Sequence, residues 1–219
     1  MDAREILAMV DELSETKSDE ELCAYLEEVC PQYRGDAIGR AAVYNELGSV
    51  CRRNGWFEKG EKAFLTAAEA LENAGIRDGN YATTINNLAG LYRLSGDYER
   101  SAELFARCRE IYAALPGVPA DILASSCNNL GLLHLDKRLY AEALEEFRRA
   151  EEIIAAVPDN LYVQAVTAGN MGYACYGLGD ISTAAECMLK AARFAAGFDT
   201  GMQENYMELY RRLGGKEEK

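Results

Sequence analysis

The sequence predicts an all-α fold in which helix hairpins stack into an α-solenoid. Four segments of the 219-residue chain align without gaps, and their starts lie 41, 42 and 41 residues apart. Within each segment, apolar residues recur at helical spacing on both sides of a central turn. Turn-forming residues close each segment before the next one begins. Each segment therefore predicts one helix hairpin, and the four together predict a repeat array.

Residues 1–36 precede the array and predict a helix pair over residues 2–14 and 19–30. They hold eleven acidic and three basic residues, and so contribute most of the formal net charge of -13. Two roles are open for this acidic N-terminal cap: a solvated end of the array, or a docking surface for basic partners. Because a negative surface repels phosphate backbones, nucleic acid is not expected as a partner.

The array itself is expected to comprise four hairpins, over residues 37–76, 77–118, 119–158 and 159–197. Each first helix carries an apolar residue followed by a small one, which lets two helices approach closely. These pairs are Leu47-Gly48, Leu88-Ala89, Leu130-Gly131 and Met171-Gly172. Eight residues after the apolar one, three units have a glycine and the third has Arg138. A left-handed turn after the helix is expected at this position.

Helix breakers between the units predict where the first helices begin. They cluster at residues 73–80, 115–121 and 157–160. Asparagine and aspartate are favoured N-caps because their side chains accept hydrogen bonds from the first free backbone N–H groups. The candidate N-caps are Asp78 or Asn80, Asp121, and Asp159 or Asn160.

Residues 198–219 predict a C-terminal capping helix and a short charged tail. Stacked repeats leave an apolar face at each end, so atypical terminal helices are expected to cover it. Within residues 200–213, one helix face would carry Met202, Tyr206, Leu209, Tyr210 and Leu213.

The segment TINNLAGLYRLSGDYERSAELFARCREIY and its three aligned counterparts resemble the tetratricopeptide repeat. The period of about 42 residues, instead of 34, is similar to that of the longer subclass typified by kinesin light chain repeats. The usual opening aromatic is present in the first unit as Tyr44, but its counterparts are Ile85, Cys127 and Ala168. The resemblance covers residues 37–197. It implies a right-handed superhelix whose first helices line a concave groove that holds a peptide or a protein segment.

The predicted groove face is rich in asparagine, although an internal asparagine costs a helix up to about 0.7 kcal/mol relative to alanine. A carboxamide can pair with both the N–H and the C=O of an extended peptide. The resemblance implies this role for Asn87, Asn129 and Asn170, whereas the first unit has Glu46 there. The candidate peptide-binding residues are Asn45, Arg52, Asn86, Asn87, Arg93, Asn128, Asn129, Asn170 and Tyr173.

Each of these assignments has a structural alternative. The asparagines could instead bond to the neighbouring repeat and bind no ligand. Arg52 and Arg93 could meet acidic groups of a peptide, or they could lie on solvated faces or in intrahelical ion pairs. Tyr173 and Tyr176 could form an apolar pocket with two leucines, Leu132 and Leu135, or the C-terminal helix could cover all four.

The remaining chemistry favours a protein without catalytic activity. The seven cysteines form no CxxC pair and predict buried thiols, and Cys23 and Cys30 are too far apart on one helix to form a disulfide. The single histidine, His134, predicts a core position. No catalytic residue, metal ion or cofactor is expected. No membrane span or basic leader is evident, so a cytoplasmic protein is expected.

The sequence thus predicts a non-enzymatic interaction module that binds a peptide or partner segment in its groove. The alternative is a scaffolding or self-associating repeat protein with no free peptide site, and a homo-oligomer is possible on either reading.

Overall fold

A computed structural model describes residues 2–215, and within that range the chain forms eleven α-helices and no strand. Apart from the 3-10 turn Cys30–Gln32, the elements are α1 (Ala3–Thr16), α2 (Asp19–Val29), α3 (Ala37–Arg53), α4 (Phe57–Asn73), α5 (Gly79–Ser95), α6 (Tyr98–Ala114), α7 (Ala120–Asp136), α8 (Tyr140–Ile154), α9 (Leu161–Gly177), α10 (Ile181–Ala195) and α11 (Thr200–Arg212). None of the helices in the described range is both long and apolar enough to cross a membrane.

The chain folds as two compact units that divide between Pro116 and Gly117. The N-terminal unit contains the helix pair α1–α2 and the hairpins α3–α4 and α5–α6. The C-terminal unit contains the hairpins α7–α8 and α9–α10, followed by α11.

The small residue of the repeated motif lets the two helices of a hairpin pack closely. A Cβ placed on Gly48 would lie 2.5 Å from the ring of Phe64, which projects from the second helix. The equivalent contact in the third hairpin joins Gly131 and Phe147, where a Cβ would lie 2.4 Å from the ring. Both phenylalanines are fully buried. The glycine therefore provides the space that the aromatic side chain fills, as the motif predicts.

The turns inside the hairpins confirm the predicted left-handed position. Gly55, Gly96 and Gly179 have φ values of 72°, 86° and 81°. Arg138 takes the same place in the third hairpin with a φ of 59°, and it is the only non-glycine residue with positive φ in the described range. A side chain at this position crowds the following carbonyl group, so Arg138 carries backbone strain that glycine avoids.

Two of the predicted N-caps are confirmed and one is wrong. The Asp78 side chain accepts a hydrogen bond from the Asn80 N–H, and Asn160 accepts one from the Val163 N–H. Helix α7 begins earlier than expected, directly after Pro119, so Asp121 lies inside its first turn. The physical reason is the proline, whose ring fixes φ at -56° and leads the chain into the helix without a side-chain cap.

The acidic helices α1 and α2 pack on the first hairpin through apolar side chains. Their ends lie within two residues of the predicted ones. Their buried residues share one core cluster with α3 and α4, which includes Ile6, Val10, Leu22, Leu26, Val43, Leu47 and Ala63. At the rim, Asp19 accepts hydrogen bonds from Arg53 Nε at 3.0 Å and from Asn54 Nδ2 at 2.7 Å. The acidic pair is thus joined to the repeats by burial and by these polar contacts.

Candidate peptide-binding face

The first helices of neighbouring hairpins are joined by a hydrogen bond that occurs once in each unit. Asn45 Nδ2 of α3 donates to Thr84 Oγ1 of α5 at 2.8 Å. Asn128 Nδ2 of α7 donates to Thr167 Oγ1 of α9 at 2.7 Å. Each threonine hydroxyl in turn donates to a carbonyl of its own helix, so its oxygen is oriented to accept from the asparagine. We call the side of α3, α5, α7 and α9 that carries the aligned asparagines the first-helix face.

A second, weaker asparagine contact distinguishes the two units. Asn87 Nδ2 lies 3.5 Å from Asn45 Oδ1 in the N-terminal unit, at the limit of a hydrogen bond. The counterparts in the C-terminal unit, Asn170 Nδ2 and Asn128 Oδ1, are buried and have no hydrogen-bond partner among the described residues. Asn128 is 4% exposed and Asn170 is 8% exposed. These two asparagines thus hold one acceptor and one donor without a hydrogen bond to any described residue.

In the fourth hairpin a glycine and a tyrosine replace the asparagine and threonine. Gly169 is the aligned counterpart of Asn45 and Asn128, and a Cβ placed on it would lie 2.5 Å from the ring of Tyr206. Tyr206 belongs to α11, so the C-terminal helix packs on α9 at the place where a following first helix would contact it. Burial, with Tyr173 and Tyr162 nearby, raises the pKa of Tyr206 to about 12.

Two arginines lie near each other on the first-helix face of the N-terminal unit. Arg52 of α3 approaches the backbone of α5 so closely that a Cβ on Gly90 would stand 2.9 Å from its Nη1 atom. Burial, followed by repulsion from Arg93, lowers the pKa of Arg52. Arg52 makes no hydrogen bond or ion pair within residues 2–215. A desolvated cation beside a second cation is stabilised by a nearby anion.

The tyrosines of α9 remain accessible, whereas the leucines grouped with them do not form an open pocket. Tyr173 is 45% exposed and Tyr176 is 60% exposed. Leu132 and Leu135 are half-buried and pack against a core cluster of the C-terminal unit, as does Leu213 just after α11. The structure therefore separates the predicted set into two exposed tyrosines and two leucines that belong to the core.

The predicted site residues thus fall into groups with different surroundings. The amide nitrogens of Asn45 and Asn128 are engaged by threonines of the next hairpin, which favours the structural alternative for these two. Asn86, Arg93 and Asn129 are half-buried and each has an interaction partner. The structure brings Asn87 next to Asn45, and Arg52 next to α5.

The two threonines that accept hydrogen bonds from Asn45 and Asn128 were not among the residues predicted from the sequence. Thr84 and Thr167 each stand one position before the aligned start of their unit, at Ile85 and Ala168. Both are almost completely buried, with exposures of 0% and 1%. Each threonine stands two residues before the position aligned with Asn45 and Asn128. Its recurrence in the second and fourth units is the sequence signal that could have predicted the bond.

No group of three or more His, Cys, Asp or Glu residues is arranged to hold a metal ion within residues 2–215. His134 is half-buried in the last turn of α7. The cysteine thiols are free and mostly buried, and Cys23 Sγ lies 3.9 Å from Cys51 Sγ of the next helix.

The repeats match a known protein family. Two family models, both described as tetratricopeptide repeat, match residues 39–114 and 123–154. The chain contains tetratricopeptide repeats. Its all-α hairpins and its resemblance to kinesin light chain repeats agree with this assignment. None of the curated proteins compared with the sequence matches it.

Solved structures share the fold of these tetratricopeptide repeats at low sequence identity. BtubC (BKLC) from P. vanneervenii has a TM-score of 0.73 and 21% identity over 88% of this chain and 79% of its own. A candidate kinesin light chain from Podosopora anserina has a TM-score of 0.66 and 17% identity over 90% of this chain and 97% of its own. PlcR from Bacillus thuringiensis, solved with the peptide PapR7 and DNA, has a TM-score of 0.71 and 14% identity over 98% of this chain and 74% of its own.

Proposed function

We propose that this tetratricopeptide repeat protein is a non-enzymatic interaction module that binds an extended segment of a partner protein on the first-helix face of its N-terminal unit. The segment carries an acidic side chain or a terminal carboxylate, and Arg52 binds this carboxylate group. The repeats support the broader role, because rigid helical arrays offer a large recognition surface at little ordering cost.

The partial burial of Arg52 without a carboxylate partner among the described residues is the observation on which this proposal rests. The Arg52 guanidinium is half-buried against Gly90, lies near Arg93 and lacks a carboxylate partner within residues 2–215. Partial burial of a cation is costly unless an anion compensates it. A bound carboxylate would supply two charge-assisted hydrogen bonds and relieve the repulsion between the arginines.

The asparagines would hold the peptide backbone beside this anion site. Asn87 is half-buried, and within residues 2–215 its only side-chain hydrogen bond is the long one that its amide nitrogen donates to Asn45. Its oxygen can therefore accept from a peptide N–H. Asn45 and Asn128 are assigned to joining neighbouring hairpins instead. PlcR supports peptide capture by this fold, since it was solved with the peptide PapR7.

Peptide binding to matched arginine variants tests the proposal. A library of extended peptides, with and without acidic residues, is titrated against the intact protein, the variant Arg52→Gln and the control Arg148→Gln. Arg148 is exposed on α8, away from the first-helix face. We expect acidic peptides to be selected and Arg52→Gln to weaken them about tenfold, the loss of one charge-assisted contact.

The stability of the same variants separates lost binding from lost folding. Because Arg52 is desolvated and repelled by Arg93, Arg52→Gln is expected to unfold at the same or a higher temperature than the parent. If Arg52→Gln binds every captured peptide as well as the parent does, the assignment of the peptide to this face is incorrect.

The alternative is a scaffolding or self-associating repeat protein. It is favoured by the asparagine–threonine bonds, which give the asparagines a structural role without any ligand. The exposed tyrosines of α9 would then contact another copy. Light scattering at several concentrations distinguishes the two functions, since a stable oligomer that covers the first-helix face cannot capture free peptides.

A further inference from the structure

A cavity lies on the N-terminal unit, between α2 and the start of α4. Its volume is about 580 Å³, and it opens next to the turn that joins α3 to α4. Its walls include Glu20, Glu27, Trp56, Phe57, Glu58 and Lys59. None of these residues belongs to the first-helix face, so the cavity is independent of the function proposed above.

The charges of this cavity are predominantly negative. Glu20 comes from the first turn of α2 and Glu58 from the first turn of α4, and both are exposed. Neither makes a hydrogen bond or ion pair within residues 2–215. Glu27 is engaged by Lys59, whose Nζ lies 2.8 Å from Glu27 Oε1. The cavity therefore offers two carboxylates that no cation within residues 2–215 neutralises.

Aromatic rings form the other part of the wall. Trp56 and Phe57 are half-buried, and the inner sides of their rings pack against core clusters of the unit. Their remaining surface faces the cavity. A planar cation that stacks on an aromatic ring gains cation–π attraction, and tryptophan is the best such partner. Arginine fits both walls, because its guanidinium can stack on a ring and pair with carboxylates in the same plane.

One feature of the cavity opposes a cation. The N-terminus of α4 carries no side-chain cap, and its partial positive charge lies at the first-turn residues Phe57, Glu58 and Lys59. The partial charge of a helix N-terminus is about half an elementary charge, which is smaller in magnitude than the combined charge of the two unpaired carboxylates. The net charge of the cavity walls therefore stays negative. The chain as a whole has a net charge of -13, and its first 36 residues are its most acidic part.

We infer that this cavity is a docking site for an arginine side chain presented by a basic segment of a partner protein. The guanidinium stacks on Trp56 and pairs with Glu20 and Glu58. The acidic N-terminal helices then act as a docking surface, one of the two roles that the sequence leaves open for them.

The only tryptophan of the chain reports directly on this site. The intact protein is titrated with the capped peptide Ala-Arg-Ala-Arg-Ala, and the emission of Trp56 is followed. The matched control replaces each arginine by citrulline, which keeps the shape of the side chain and removes its charge. We expect saturable binding of the arginine peptide, binding of the citrulline peptide that is weaker by about tenfold or more, and loss of affinity when salt is raised.

Matched glutamate variants locate the contact. Glu58→Gln and Glu20→Gln are each expected to weaken the arginine peptide about fivefold. Glu99 occupies the same place in the first turn of α6 that Glu58 has in α4, and it lies outside the cavity. Glu99→Gln should leave the affinity unchanged, and circular dichroism should show all three variants to be folded.

Three results would overturn the inference. The first is equal binding of the arginine and citrulline peptides. The second is binding of a glutamate-containing peptide in preference to the arginine peptide, which would assign the cavity to the open N-terminus of α4. The third is an equal loss of affinity in Glu99→Gln and Glu58→Gln, which would indicate general attraction to an acidic protein.

Discussion

Arg138 occupies a backbone position that the other three repeats give to glycine. Its φ of 59° is compatible with glycine but strained for arginine, and its exposed side chain makes no compensating hydrogen bond or ion pair within residues 2–215. We predict that Arg138→Gly raises the free energy of unfolding by about 0.5–1 kcal/mol, which is the relief of strain less the greater flexibility of unfolded glycine. Urea denaturation of the parent and variant measures this difference.

Gly96 provides the reciprocal control for this position. A Cβ there would meet no atom within 4 Å, so a substitution changes the backbone strain and little else. Gly96→Arg should lower the free energy of unfolding by about 1 kcal/mol. If Arg138→Gly is neutral while Gly96→Arg is destabilising, the turn of the third hairpin is not strained in the way its φ indicates.

Between elements, the asparagine–threonine bond joins consecutive first helices, and its contribution should depend on burial. Thr167→Val keeps the shape of the side chain and leaves the buried Asn128 amide without its acceptor. We expect a loss of about 1–3 kcal/mol in the free energy of unfolding, the usual penalty for an unsatisfied buried polar group. Thr84→Val should cost less, because Asn45 is half-buried and water can replace the threonine.

Thr66→Val is the matched control for both substitutions. Thr66 Oγ1 also donates to a carbonyl of its own helix, but it has no asparagine partner among the described residues. Its substitution should change the free energy of unfolding by less than about 0.5 kcal/mol. Equal effects of all three substitutions would show that the inter-repeat bond contributes nothing measurable.

The contact of α2 with α3 should depend on pH through Asp19. Hydrogen bonds from Arg53 and then Asn54 lower the pKa of Asp19 to about 2 in the folded protein, from an ordinary value of 3.8. Because the folded pKa is the lower one, the stabilisation is complete above the ordinary value and is lost as the pH falls through about 2. The partly exposed pair should contribute about 1 kcal/mol after screening by solvent.

The difference between the parent and Asp19→Asn isolates this effect. Denaturation at a series of pH values should show the parent more stable at pH 7, with the difference disappearing as the carboxylate is protonated in both folded and unfolded chains. Glu15→Gln, at an exposed position of α1, should remain close to the parent throughout. A difference that does not change with pH would contradict a role for the Asp19 charge.

At the scale of the whole molecule, the repeat period and its motif were enough to predict the hairpins, their turns and the glycine contacts within them. These features follow from local rules that recur four times. The bonds of Asn45 and Asn128 were left open, because their partners lie 39 residues away on the next hairpin and depend on how hairpins stack. The same holds for Tyr206 on Gly169, where one large side chain replaces a polar pair.

Net charge and the uncharged helix α9 together predict how the molecule associates. With a net charge of -13, the copies repel one another at low ionic strength. Helix α9 contains no charged residue, and its Tyr162, Tyr173 and Tyr176 are 58%, 45% and 60% exposed. If these tyrosines contact another copy, screening the charge should raise the average mass above the 24.1 kDa of the monomer.

Light scattering in about 50 mM and about 500 mM NaCl tests this association, since the Debye length falls severalfold over that range. The double variant Tyr173→Ser/Tyr176→Ser should remain monomeric in both buffers. Leu65→Ser/Leu94→Ser, at positions that are each 47% exposed in the N-terminal unit, is the control and should associate like the parent. A parent that stays monomeric at high salt leaves the first-helix face accessible and favours peptide capture over self-assembly. Association that survives the tyrosine substitutions would instead place the contact elsewhere than on α9.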